Sequence, residues 1–187
     1  FAPVTIRTPC GGGIRGGQTH SQSPEGIFTH ISGVKTVMVS NPYDAKGLLI
    51  AAIESDDPVV FFESQRLYGI GEEFHKDGVP EGYYEVALGE PDVKRAGEDI
   101  TILTIGATLY RVREAADMLQ EKYGMSAEIV DARSLVPFNY DRVLESVRKT
   151  GRILLVSDAN ERGSYLKDMA QHITELAFDY LDAPPVV

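Results

Sequence analysis

The segment from Gly16 to Glu25 places an imidazole, His20, between a glycine-rich stretch and the start of a predicted helix. The glycines that precede it let the main chain turn sharply and approach a ligand closely. Ser23 is expected to cap the helix, with Pro24 in the first helical position and Glu25 in the first turn. The helix dipole then favours a neutral ring, which can donate or accept a proton near pH 7. The segment therefore makes His20 a candidate acid–base catalyst.

The same stretch has two other interpretations. The run from Gly11 to Gly16 matches the G-x-G-x-x-G pattern of dinucleotide-binding loops letter by letter. The match is weak, because no clear second strand with an acidic residue follows about twenty residues later. A lone histidine in such a loop is also often only a surface residue. Spacing alone therefore leaves the role of His20 open.

The bulk composition limits the classes of function. The chain has 187 residues, of which 43% are hydrophobic, and this is enough for one large domain or two small ones. A formal charge of -10 without any Lys/Arg-rich run argues against nucleic-acid binding. The single cysteine, Cys10, suits a reducing compartment. No apolar stretch approaches the length of a membrane span, and no targeting peptide is visible, so we expect a cytoplasmic or mitochondrial-matrix protein.

The order of predicted elements indicates an α/β fold with parallel sheets covered by helices. In the first part, Asn41 is expected to cap a helix that ends near Glu54. In the second part, Gly124 is expected to end a long amphipathic helix. The predicted strands are Val4–Arg7, Val34–Val39, Val59–Phe62, Ile100–Ile105, Ala127–Asp131 and Arg152–Ser157; the predicted helices are Pro24–Ile31, 41–54, 109–123, Asp141–Lys149 and Tyr165–Leu181.

Two domains joined by a linker are predicted. Residues 1–65 form the first domain and residues 99–187 the second. Residues 66–98 are rich in Gly, Pro, Glu and Tyr without a sustained period, so we expect a linker there with at most a short edge strand such as Tyr84–Leu88. The chain opens on a strand-like run without a methionine, which suggests that a longer chain precedes it.

Several runs of residues carry a resemblance to a known family. The runs are HSQSPE at 20–25, NPYDAKGLL at 41–49, DPVVFFE at 57–63, DARSLVPF at 131–138 and KTGRILLV at 149–156. In collinear order they resemble the β subunit of the thiamin-diphosphate-dependent 2-oxo acid dehydrogenases, the E1 component. Ser-Pro-Glu after His-Ser-Gln is more similar to the branched-chain members. The resemblance implies the second half of a transketolase-like pyrimidine-binding domain, followed by a transketolase C-terminal domain.

The resemblance also implies cofactors and partners. In this family an α subunit binds the diphosphate and its magnesium, and the β subunit contributes an upstream Glu to the aminopyrimidine ring. The resemblance places that Glu upstream of Phe1, so no cofactor-binding residue is assigned. It places His20 at the channel where a 2-oxo acid is decarboxylated and its acyl group passes to lipoyl-lysine. The expected partners are the α subunit in an α2β2 heterotetramer and the lipoyl and peripheral subunit-binding domains of the E2 acyltransferase.

A structural potassium site is a further implication of the resemblance. The collinear positions are Ala52, Ser55 and Asp57, where main-chain carbonyls and one side chain would surround the ion. Ser55 departs from the family, since many relatives have Asp there. The alternative is that Glu54, Asp56 and Asp57 form only a solvated acidic turn.

Three functions remain open from the sequence. The first is the β subunit of a branched-chain 2-oxo acid dehydrogenase, active only with an α subunit. The second is the β subunit of a pyruvate or acetoin dehydrogenase. The third is a non-catalytic docking module with a transketolase-like fold. Arg133, at the end of a predicted strand, remains undecided between a catalytic contact and a structural ion pair.

Overall fold

The computed structural model describes residues 2–11, 16–17 and 21–187, which contain two four-stranded sheets flanked by helices. In chain order the elements are β1 (Thr5–Cys10), α1 (Glu25–Thr29), β2 (Lys35–Val39), α2 (Pro42–Glu54), β3 (Val59–Ser64), β4 (Asp92–Arg95), β5 (Ile100–Thr104), α3 (Thr108–Tyr123), β6 (Ala127–Asp131), β7 (Ser134–Val136), α4 (Tyr140–Thr150), β8 (Ile153–Val156) and α5 (Tyr165–Ala177). The α/β prediction is confirmed.

The first sheet has the strand order β1-β3-β2-β7. β1, β2 and β3 are parallel. The apolar side chains of β2 and β3, such as Val37 and Phe61, are buried as expected for strands covered on both faces, whereas Ile6 of the edge strand β1 is exposed. The helix α2 begins where predicted, because the Asn41 side chain accepts a hydrogen bond from the main-chain N–H of Asp44. This cap places Asp44 in the first turn of α2.

The second sheet has the order β4-β6-β5-β8, in which β5, β6 and β8 are parallel. The helix α3 ends at Gly124, whose φ of 67° is the left-handed conformation that glycine adopts readily, as predicted. β4 is antiparallel to β6, unlike the all-parallel expectation. The link at residues 96–99 between β4 and β5 is too short for a crossover, since a parallel connection needs about a dozen residues.

The two halves of the chain share strands and a core. β7 follows β6 after only two residues, yet it pairs antiparallel with β2 in the first sheet. The N–H of Met38 donates to the carbonyl of Arg133 at 2.9 Å beside this pairing. One cluster of buried side chains contains Met38 and Phe62 from the first sheet and Leu103 from the second. The relative position of the two sheets is therefore fixed by packing.

Three local predictions are wrong. Ser23 does not cap α1, because its hydroxyl donates to Asp158 instead, and the residue before the helix is Pro24 without a side-chain cap. Residues 84–88 contain no strand, and the strand in this region is β4. α5 ends at Ala177 instead of Leu181.

Three other predictions concern the linker boundaries, Cys10 and membrane-spanning helices. Because β4 lies inside the predicted linker but belongs to the second sheet, the boundaries at 66–98 stay a prediction. Cys10 is buried, and burial raises the pKa of its thiol to about 12, as expected for an unreactive cysteine. Among the described residues, no helix combines the length and apolar character needed to cross a membrane.

Candidate functional site

His20 lies outside the described residues, so its catalytic role stays a prediction. The residues that follow it in the chain are described, and two hydrogen bonds hold them. The N–H of Gly11, just after β1, donates to the carbonyl of Gln22 at 2.9 Å. The N–H of Gly16 donates to the Ser21 hydroxyl at 3.0 Å. These two hydrogen bonds therefore hold residues 21 and 22 beside the carboxyl end of β1.

A third hydrogen bond ties the same residues to the second half of the chain. The Ser23 hydroxyl donates to Oδ1 of Asp158 at 2.6 Å, and Asp158 follows β8. Ligand sites of open α/β sheets lie outside the carboxyl ends of their strands. The position after His20 therefore lies where the carboxyl ends of β1 and β8, one from each sheet, come together.

Glu25 is the buried acid of this region. Its side chain is 1% exposed, and Oε2 has no hydrogen-bond partner among the described residues. Burial raises the pKa of Glu25 to about 7, although a hydrogen bond with its own main chain lowers it; the nearby Asp158 raises it further. Burial therefore favours the neutral form of the Glu25 carboxyl. A polar cavity of about 170 Å³ lies beside it, between residues 22–27 and the turn at 159–164.

A second group of buried charges joins the two sheets. Asp44, fully buried in the first turn of α2, accepts from Lys94 Nζ at 2.6 Å and from Arg133 Nη1 at 2.8 Å. Burial alone would raise the pKa of Asp44, but the two cations hold it below its usual value. Arg133 also donates to the Glu90 carbonyl from Nε at 3.1 Å and Nη2 at 2.7 Å. The structure thus gives Arg133 an ion pair between the two halves.

Asp131 is the member of this group whose pKa is raised. Its Oδ1 accepts from the Ser40 hydroxyl at 2.8 Å, while Oδ2 has no partner among the described residues. Burial, with the nearby Asp44 carboxylate, raises the pKa of Asp131 to about 7. Sequence reasoning missed Asp131 and Lys94. Asp131 ends a predicted strand, which was a usable signal, whereas Lys94 lies in a stretch without periodicity and gave none.

Asp44, His75 and Asp92 have ligand atoms within 4.8 Å of one another, as in a metal site. The ammonium group of Lys94 already occupies this position. Its Nζ lies 2.6 Å from Asp44 Oδ2, 2.6 Å from Asp92 Oδ2 and 3.3 Å from His75 Nε2. The cluster is therefore an ion-pair site, and no metal is assigned to it.

The groups predicted to bind potassium already contact other groups of this chain. The Ala52 carbonyl accepts from the Thr5 hydroxyl at 2.9 Å and from the Ser55 N–H at 3.3 Å. Lys35 Nζ lies 2.9 Å from Ser55 Oγ and 3.1 Å from Asp57 Oδ2. As it stands, this arrangement does not fit a potassium ion, because Lys35 already supplies the positive charge. The ligand assignment stays a prediction.

The described residues also do not complete a thiamin diphosphate site. A mostly apolar cavity of about 430 Å³ lies along α2 and β3. Among the described residues that line it, the one acid is Glu63, and both of its carboxylate oxygens are engaged. Oε1 accepts from Arg7 Nε at 2.6 Å, and Oε2 accepts from the Tyr68 hydroxyl at 2.8 Å. No unengaged carboxylate among the described residues of this cavity is available to an aminopyrimidine ring.

Two family models match the chain. Residues 2–70 match the transketolase pyrimidine binding domain, and residues 89–187 match the transketolase C-terminal domain. A solved structure described as a split gene transketolase, an inactive beta4 tetramer, aligns with a TM-score of 0.77. It covers 98% of this chain and 56% of that one at 21% identity, which supports the fold alone.

Curated relatives are 44–47% identical to this chain over the region that aligns with it. The chain is 45% identical to 2-oxoisovalerate dehydrogenase subunit beta of Pseudomonas aeruginosa, over 98% of the chain and 55% of the relative. It is 47% identical to an acetoin:2,6-dichlorophenolindophenol oxidoreductase subunit beta of Bacillus subtilis, over 97% and 52%. It is 44% identical to a pyruvate dehydrogenase E1 component subunit beta of the same species, over 98% and 55%. The chain spans about half the length of these relatives.

Replacing Asp131 by Asn is expected to weaken the pH dependence of stability. A carboxyl with a raised pKa stabilises the fold below its unfolded value of 3.8, and that stabilisation is lost as the pH rises through about 7. Asn keeps an oxygen for the Ser40 hydroxyl but does not titrate. Urea unfolding between about pH 5 and pH 8 should show a smaller decline for Asp131→Asn than for the native chain and the exposed control Asp56→Asn. If the free energy of unfolding has the same pH dependence in Asp131→Asn as in the native chain, Asp131 is not the titrating group.

The potassium prediction can be tested through thermal stability. If an ion binds at the turn, potassium chloride should raise the melting temperature by about 2–4 °C over tetramethylammonium chloride at equal ionic strength, a gain of roughly 1 kcal/mol. Lys35→Met should enlarge the difference, because it removes the competing ammonium group. The exposed Lys76→Met serves as the control. Equal melting temperatures in both salts, for the native chain and Lys35→Met, would remove the site.

Proposed function

Because the chain belongs to the transketolase C-terminal domain family and carries a transketolase pyrimidine-binding domain before it, we propose that it forms part of the β subunit of a 2-oxo acid dehydrogenase E1 component. The observation that carries the proposal is the collinear similarity over 97–98% of the chain to β subunits of this class. The arrangement of residues 21–23 supports it, because they lie at the carboxyl ends of β1 and β8.

The proposed substrate is a branched-chain 2-oxo acid, whose acyl group is transferred to lipoyl-lysine of E2. The HSQSPE run and the 2-oxoisovalerate dehydrogenase relatives support this choice. Pyruvate and acetoin are the alternatives, because relatives named for them have nearly the same identity. A non-catalytic docking module is the alternative from another class.

The proposed cofactor is thiamin diphosphate with magnesium, and it supplies carbanion stabilisation when bound. The described residues do not complete its site, so an α subunit and an upstream Glu are proposed to supply the rest. This chain's own contribution is His20, proposed to move or share a proton with the reacting group. The hydrogen bonds of Gly11, Gly16 and Asp158 orient the residues that follow it.

The proposed assembly is an α2β2 heterotetramer that docks on the E2 acyltransferase. The formal charge of -10 suits a basic peripheral subunit-binding domain, since complementary charge speeds and orients association. The proposed location is the cytoplasm, or the mitochondrial matrix in a eukaryote, where a relative from Dictyostelium discoideum is named mitochondrial.

The proposal is tested with the full-length protein and its co-purified partner. Native mass spectrometry with thiamin diphosphate and magnesium should show four chains of two types. Reduction of 2,6-dichlorophenolindophenol should then favour 3-methyl-2-oxobutanoate over pyruvate by at least about tenfold in kcat/KM, the discrimination expected from an apolar pocket. A preference for pyruvate or acetoin would select the alternative enzyme. A lone chain without cofactor would select the docking module.

His20→Ala in the assembled enzyme is expected to leave the heterotetramer intact and slow decarboxylation or acyl transfer by about 10²-fold, as for a lost general acid or base. His30→Ala is the matched control, because His30 is exposed just after α1. Each half-reaction is measured separately by single-turnover kinetics. Unchanged rates in both would eliminate His20 as a catalyst.

A further inference from the structure

The start of α1 and the turn after β8 form a close contact that we call the seam, comprising residues 22–27 and 158–164. A Cβ atom added at Gly26 would lie 2.7 Å from the Gly163 carbonyl oxygen, so the two main chains touch. The Ser23–Asp158 hydrogen bond of 2.6 Å crosses the seam. The seam therefore joins the two halves of the chain directly after the His20 segment.

Glu25 is the one carboxyl buried within the described part of the seam. Its side chain is 1% exposed, and Oε2 has no described partner. Among the described residues, the charged and titratable groups around it include Asp158 across the seam, Cys10 at the end of β1, and Arg162 on the wall of the adjoining cavity. The Cys10 thiol is neutral, since its pKa is raised to about 12. An ionised Glu25 would thus face the Asp158 carboxylate away from water.

This geometry makes the closed seam depend on a neutral Glu25. An ionised Glu25 would leave Oε2 buried without a described hydrogen-bond partner, which is costly although a main-chain hydrogen bond of the same carboxyl offsets part of the cost, and the like charge nearby adds to it. Opening the seam would let water reach Oε2 and move Glu25 away from Asp158. The same opening would release the Ser23–Asp158 hydrogen bond, so residues 21–23 would lose their attachment to the second half.

We propose that Glu25 is a positioning residue: its neutral carboxyl lets α1 close against the turn at 158–164 and so holds residues 21–23 in place. The catalytic part of this inference rests on the proposed function, whereas closure of the seam does not. Glu25 reaches the reaction only through the main chain between it and His20. Ionisation of Glu25 then opens the seam and reduces turnover.

Hydrogen exchange in the full-length protein tests the closure without any assay of activity. At about pH 5, amides at 158–164 and 22–27 should exchange at nearly the same rate in the native protein and Glu25→Gln. As the pH rises to about 7, the native amides should exchange progressively faster than those of Glu25→Gln, after correction for intrinsic rates, and at about pH 8.5 the difference should have levelled off at up to about 10²-fold. Opening gains up to tenfold per pH unit only between the ordinary Glu pKa of 4.5 and the closed-state pKa of about 7.

Two further variants make the exchange result decisive. Glu25→Met is also uncharged and should protect the seam like Glu25→Gln, which keeps the test valid if the amide fits poorly. Glu161→Gln removes an exposed carboxylate from the same turn and should follow the native protein. Equal exchange of the native protein and both Glu25 variants at about pH 8.5 would overturn the proposal.

The pH profile of the assembled enzyme tests the positioning role. Relative to Glu25→Gln, the native kcat/KM should fall as the pH rises from about 5 to about 7, and the ratio should level off above that value. Superimposable profiles would show that Glu25 does not position the reacting residues, even if the seam opens. The two parts of the inference can also fail separately. If exchange of the seam amides depends on Glu25 but the assembled protein has no activity on 2-oxo acids, the closure stands and the proposed function is rejected.

Discussion

The structure depends on how a buried carboxylate, Asp44, is neutralised. It lies in the first half of the chain, but both cations that contact it, Lys94 and Arg133, come from the second half. Removing one partner of a buried ion pair typically costs about 3–5 kcal/mol, since the other charge is left unpaired. Separating the two sheets would remove Lys94 and Arg133 from Asp44 and leave its carboxylate unpaired. The ion pairs therefore make the relative position of the sheets a condition of stability, and β7, which pairs with β2, reinforces it.

The buried acids at the junction between the two halves differ in the direction of their pKa shifts. Asp44 has two cations within hydrogen-bond distance and stays charged. Asp131 and Glu25 are equally buried, but each leaves one oxygen without a described partner, and their pKa values are raised to about 7. The difference follows from geometry, because a carboxylate needs a cation or several donors to remain ionised without water. The raised pKa values of Asp131 and Glu25 stabilise the junction at lower pH, and this contribution is lost as the pH rises through about 7. The ion pairs of Asp44 are lost only as the pH falls through its lowered pKa.

Local signals in the sequence predicted the regular elements, whereas long-range contacts decided the rest. Asn41 and Gly124 marked helix ends correctly, because a cap and a left-handed C-terminus are set by neighbouring residues. Ser23 failed as a cap because Asp158, 135 positions away, takes its hydroxyl. Lys94 gave no signal for the same reason, since its partner Asp44 lies 50 positions before it. The resemblance led to the predictions for His20 and for a potassium site, but it gave no sign that Lys35 Nζ contacts two of the residues predicted to bind that ion, Ser55 and Asp57.

The Ser-Pro-Glu run, on which the resemblance to branched-chain members rests, lies at the junction between the two halves. Ser23 donates to Asp158, and the side chain of Glu25, at the start of α1, is almost completely buried beside the turn after β8. A side chain that is buried in this way does not offer its surface to a ligand. Under the proposed function, we therefore expect Ser23 and Glu25 to act on substrate choice through the position of residues 21–23 and not by direct contact.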